Sequence, residues 1–312
     1  MPALISAFAA LSLIGAQPHS PPEHEPVFEL EEIVVEGVRL EELTRRFVDE
    51  VAAPARGRGP ARWAKPVCIG MANLKPEVAQ PIIDRMAGVA NDIGVRVSGP
   101  GCQPNVLIVV SEDAAALTAT MVSDNRRLFR PGATGMERGP RALTDFIQSN
   151  RPVRWWHVSS PTNRDTGQLA VRLPGHNDMA MVSGNSDSVF SFAPMTRVQP
   201  TLLNQSLRDD MRAVYVVVDV DEVAHVPAEA LADYLAMIAF AQIDAEADTG
   251  AYDSVLNLFD SPNPPAALTG WDRAYLKGLY EAESYREHPG SRVQAISVAI
   301  LDEYRTGLNT AE

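Results

Sequence analysis

Apolar residues recur at spacings that predict helices and strands in alternation along most of the chain. Leu40, Leu43, Phe47, Val48 and Val51 share one helical face, and Ile33-Val34-Val35 before them reads as a short strand. Residues 66–71 form an apolar run that suits a buried strand. Pro76 then stands at a favourable first helical position, ahead of the stripe Val78, Ile82, Met86, Val89 and Ile93. Residues 105–110 form a second apolar strand, closed by Ser111-Glu112-Asp113 as a helix-capping signal. Strand, helix and strand over this length predict a crossover unit.

Further helices are expected over 113–122, 140–148, 271–280 and 293–304, with 126–139 as a glycine-bearing loop. Residues 154–159 and 168–173 read as a strand pair around a turn at 161–167. Residues 174–200 are polar and irregular, an insertion or a surface loop near a site. The Val-rich run 214–220 predicts a strand, and 228–243 a helix apolar on nearly every face. Together these elements predict an α+β protein, a mixed sheet with packed helices.

Composition supports a folded core: 46% of residues are hydrophobic and 21% charged. Residues 1–16 form an apolar segment ending in a small residue before Gln17-Pro18, the pattern of a signal peptide, although no Lys or Arg precedes it. A truncated or misassigned start is the other reading. Residues 17–39 would be a flexible leader with the short strand, and 40–312 one α+β domain. Export would make the chain periplasmic or secreted. The two cysteines, Cys68 and Cys102, would then pair as a disulfide rather than remain buried thiols.

The net charge of −13 is uneven: residues 40–175 carry 18 basic and 13 acidic side chains, residues 176–312 carry 8 and 21. A basic middle segment would meet an anionic partner or lie as a solvated face near the acidic half. Nucleic-acid binding is not expected, because basic residues are not interleaved with aromatics. Gly132 and Gly135 lack the Lys and Ser/Thr of a phosphate-binding loop.

The order of the 214–220 strand, the 228–243 helix, Asp253–Asn257 and Leu268–Tyr280, with Trp63–Val67 and Asn105–Ile108 upstream, resembles an uncharacterised group of exported bacterial proteins. That group has a zincin-like, metallopeptidase-type fold and a degraded active site. The resemblance implies that the window Asp233-Tyr234-Leu235-Ala236-Met237 stands where active peptidases carry His-Glu-x-x-His. Asp233 then takes the first ligand position, Tyr234 that of the general base, and Met237 that of the second ligand. Zinc hydrolysis needs two ligands one turn apart and a carboxylate to activate water, and this window lacks that set. No metal or other cofactor is expected.

Two functional classes follow. The first is a non-catalytic exported binding or scaffolding protein, with an envelope protein or a small ligand as its unnamed partner. The second is a hydrolase using a scattered constellation of Asp233, His157 and His225. Asp233 is alternatively a carboxylate bonded to an arginine or to backbone, and His157 a strand residue beside a loop. His176, Asp178, Asp219, Asp221 and His225 match no metal-site spacing. A cleft where histidines and carboxylates converge would favour the hydrolase.

Overall fold

The structure is a computed structural model that describes residues 28–54, 59–129, 139–163, 167, 207–281, 294, 296–302 and 306. The expected signal peptide, residues 17–27 of the leader, the strand at 168–173 and the insertion at 174–200 lie outside the described residues. The chain divides into two compact units, Met1–Val38 and Arg39–Glu312. Of the first, only residues 28–38 are described. They belong to helix α1, Phe28–Val51.

That helix corrects the expected strand at Ile33-Val34-Val35. Three β-branched residues make a weak strand signal. They are flanked by Glu29, Glu31, Glu32 and Glu36, good helix formers, so extending an existing helix at one hydrogen bond per residue wins. Further along α1, Phe47, Val48 and Val51 are buried as expected, but Leu43 is exposed and Thr44 takes its place on the inner face. The Thr44 hydroxyl donates to the Leu40 and Glu41 carbonyls of its own helix, which allows a polar residue there.

The second unit is built on a four-stranded mixed sheet. Its strands are β1 Ile69–Ala72, β2 Val106–Ser111, β3 Val153–Asn163 and β4 Leu207–Asp219, in the order β1-β2-β4-β3. β1, β2 and β4 run parallel, and β3 pairs antiparallel with β4. The helices are α2 Pro76–Asp92, α3 Ala114–Asp124, α4 Arg126–Phe129, α5 Pro140–Gln148, α6 Val220–Val223, α7 Ala228–Phe240 and α8 Gly270–Glu281. The class is therefore α+β with a mixed sheet. β1, α2 and β2 form the expected crossover. Pro76 starts α2, and the Asp113 carboxylate caps α3 by accepting from the Ala116 amide.

Strand alternation divides the core into two layers. Val106, Ile108, Val110, Val214, Val216, Val218, Val153 and Trp155 face α2 and α7 in the main core. Trp156 and Val158 face the other way, with Phe129, Leu143 and Phe146 in a smaller cluster. The adjacent Trp155 and Trp156 point to opposite faces and are 6% and 3% exposed, one in each core. The expected hairpin partner of β3, residues 168–173, lies outside the described residues. Residues 161–163 continue β3, which pairs antiparallel with β4, and the Gly167 amide donates to the Asn163 carbonyl at 2.9 Å just beyond it.

Cys68 and Cys102 are joined in a disulfide, with Cα atoms 6.0 Å apart. It ties the entrance of β1 to the loop before β2. In the chain-entropy picture a loop of this size stabilises by about 3–4 kcal/mol. No described helix is long and apolar enough to cross a membrane.

The helix expected to end at Ile243 stops at Phe240, because Ala241 is extended. All residues from Ala230 to Phe240 are buried. Leu235, 1% exposed, sits at the centre of this helix. Replacing it by alanine is expected to remove about 2–5 kcal/mol of stability, measured by urea unfolding. A loss below about 1 kcal/mol would mean that α7 is not the core element described.

Candidate functional site

A helix buried on every side must satisfy its last carbonyls without water. The Met237 carbonyl of α7 accepts from the Ala241 amide in the usual way. The next three accept from side chains of three separate elements. His157 Nε2 on β3 bonds the Ile238 carbonyl at 2.7 Å. Trp63 Nε1, from the segment before β1, donates to the Ala239 carbonyl at 2.8 Å. The Tyr280 hydroxyl of α8 donates to the Phe240 carbonyl at 2.7 Å. Just beyond the helix, Trp155 Nε1 donates to the Ile243 carbonyl at 3.0 Å. A carbonyl oxygen can only accept, so His157 carries its proton on Nε2.

Asp233 lies on the same helix and is fully buried. Its carboxylate accepts from Arg85 Nε and Nη2 of α2 at 2.7 and 2.8 Å, a paired fork geometry. It also accepts from the Leu268 amide at 2.7 Å. Asp233 therefore binds α2, α7 and the segment before α8 together. Arg85 reaches Glu229 as well, at 3.0 Å, and these carboxylates raise its pKa, with the Asp233 hydrogen bonds the largest cause.

The rest of the candidate window is core. Tyr234 packs edge-on against Trp155 and Phe259, with ring centroids 6.1 and 5.1 Å away. Burial pushes its phenol far above the ordinary range. Met237 is wholly buried in the main core. The window does not fit a zinc ion: its one carboxylate is spent on Arg85 and Leu268, and its other members are an enclosed phenol and a packed thioether. Among the described residues no group of three His, Cys, Asp or Glu side chains is placed to hold a metal.

A second buried carboxylate organises the approach to α8. Asp272 and Thr269 cap the helix reciprocally: the Asp272 carboxylate accepts from the Thr269 amide at 3.0 Å, and the Thr269 hydroxyl accepts from the Asp272 amide at 3.1 Å. Asp272 also accepts from the Ser254 hydroxyl and the Val255 amide. Burial pushes its pKa up, and the bonds from Ser254, Val255 and Thr269 pull it down without cancelling the effect. With its folded pKa raised, its contribution to stability is fullest at low pH and declines as pH rises through that value.

The three residues of the hydrolase constellation do not meet as a catalytic group. Asp233 is bound to Arg85 and Leu268, His157 to the Ile238 carbonyl, and His225 is exposed on the connection between α6 and α7. His176 and Asp178 lie outside the described residues. Gln242, expected within the helix, follows it and accepts from the Ala61 amide at 3.2 Å.

A cleft of about 580 Å³ opens instead on another part of the second unit. Its wall includes Arg62, Trp63, Asp92, Arg208, Tyr280 and Glu281. Trp63 and Tyr280 form part of this wall and also cap α7, so the cleft is attached to the best-buried helix of the fold. Arg62 Nη1 donates to the Tyr280 carbonyl at 3.0 Å, and Arg208 pairs with the Asp210 carboxylate at 2.7 Å. None of Asp233, His157 and His225 lines it. Sequence reasoning missed Trp63, Arg85 and Tyr280, although Thr269-x-x-Asp272 was readable as a capping box.

The role of His157 has a direct check. His157→Phe keeps the volume but leaves the Ile238 carbonyl without its donor, an expected loss of about 1–3 kcal/mol in urea unfolding. His157→Gln, which retains an N–H, is expected to recover part of it. Equal stability of wild type and the phenylalanine variant would contradict the capping role. No family model, curated protein or solved structure matches this chain.

Proposed function

We propose that this chain is a non-catalytic exported binding or scaffolding protein, periplasmic or secreted, on a metallopeptidase-like frame whose active-site window has become core. One observation carries the proposal: the acid and the base that a hydrolase would need, Asp233 and His157, are both consumed in holding α7 in place. A general base needs a lone pair within reach of a substrate proton. His157 Nε2 bears its proton into a buried carbonyl, and Asp233 has no exposure.

Support for the zincin-like frame is the chain order in which β4 leads through α6 into the buried helix α7. Support for an oxidising compartment is the Cys68–Cys102 disulfide. Fractionation of the native host is expected to recover the protein outside the cytoplasm with no free thiol. Recovery from the cytosol with both cysteines reduced would reject export.

The activity test uses a fluorogenic casein substrate and an activated ester, with wild type, His157→Gln and Asp233→Asn compared. No turnover above buffer is expected from any of them, and EDTA or added zinc should leave the Tm unchanged. Saturable hydrolysis by the wild type that disappears in His157→Gln would establish the hydrolase instead.

A further inference from the structure

The cleft has a charge arrangement that identifies a class of ligand. Two arginines, Arg62 and Arg208, and two carboxylates, Asp92 and Glu281, stand around one opening of about 580 Å³, within the ~300–1,000 Å³ span of small-molecule sites. The two signs have separate origins. The acids come from the C-terminal ends of α2 and α8, where the helix macrodipoles add negative potential. Arg62 comes from the segment before β1, and Arg208 from the start of β4. Both guanidinium groups are held in position, Arg62 by the Tyr280 carbonyl and Arg208 by Asp210, which is 3% exposed. The wall beside them is rigid as well, because the Trp63 indole is fixed on the Ala239 carbonyl and the Tyr280 hydroxyl on the Phe240 carbonyl.

An anion alone would meet Asp92 and Glu281 unfavourably, and a cation alone would meet the arginines. A molecule carrying both charges a few bonds apart satisfies both sets. We infer that the cleft binds a small zwitterion, its carboxylate toward Arg62 and Arg208 and its ammonium toward Asp92 and Glu281. A guanidinium carries five N–H donors, so the edge of Arg208 that is not turned to Asp210 can still meet a carboxylate. This inference rests on the binding-protein reading and supplies its ligand class.

The test is calorimetric titration of the full chain with triglycine, beside glycine, N-acetyl-triglycine and triglycine amide. Triglycine is expected to bind saturably. Blocking either terminus removes one charge contact and should weaken binding about tenfold or more. If glycine alone binds as well as triglycine, the ligand is a free amino acid; weaker binding makes it a short peptide, and both outcomes uphold the zwitterion. Glu281→Gln, at an exposed position, should weaken triglycine about tenfold while leaving the Tm unchanged. Arg62→Gln should do the same to the carboxylate side, with circular dichroism confirming the fold. No saturable heat up to about 10 mM, or equal affinity for the blocked peptides, would overturn the site while leaving the non-catalytic reading intact. Conversely, triglycine that is bound and then cleaved would overturn the non-catalytic reading and keep the site.

Discussion

The end of α7 is the constraint on which the rest of the second unit depends. Residues 230–240 are buried without interruption, so the helix cannot turn its last carbonyls to solvent. Each unpaired group would cost on the order of 1–3 kcal/mol. Donors must therefore arrive from outside the helix, and they come as His157 from β3, Trp63 from the segment before β1 and Tyr280 from α8. Amphipathic side chains suit this task, because each brings an apolar body into the core and one N–H or O–H to its edge. Elements far apart in sequence are thereby fixed around one point.

Buried carboxylates play the complementary part at other points. Asp233 gathers Arg85 and the Leu268 amide, and Asp272 gathers Ser254, Val255 and Thr269. An ion without such partners would be costly in the interior. These charges order the connection from α7 to α8. Close packing continues past α8: a Cβ on Gly278 would lie 3.1 Å from the Ile296 carbonyl oxygen, so a larger residue there requires residues 296–302 to shift by a few tenths of an ångström. The position of Tyr280, and with it one wall of the cleft, follows from this sequence of contacts.

The same arrangement separates the buried polar groups from the charges that line the cleft. Asp233, Asp272 and His157, deep in the fold, are bonded to backbone and to other side chains, whereas the charges of Asp92 and Glu281 stand at helix ends on the surface. The proposed binding role rests on this contrast, because proton transfer needs a group with an uncommitted site and a path to substrate.

Local pattern was enough to determine much of the protein. The Val-rich runs of β2 and β4, Pro76 opening α2, Asp113 capping α3 and the apolar α7 were all legible, because each depends on neighbours within a few residues. The pairing of Cys68 with Cys102 was legible as arithmetic once export was assumed. Ile33–Val35 misled because three residues cannot outweigh helix cooperativity, and the pairing of β3 with β4 was not legible because antiparallel pairing between distant stretches leaves no local mark. What Asp233 and His157 do was decided only in three dimensions. The sequence shows a carboxylate and an imidazole, but the partners that consume them, Arg85 148 residues away and the Ile238 carbonyl 81 residues away, exist only after folding. The cleft is likewise tertiary: its charges come from four separate stretches, and no spacing in the chain records that they meet.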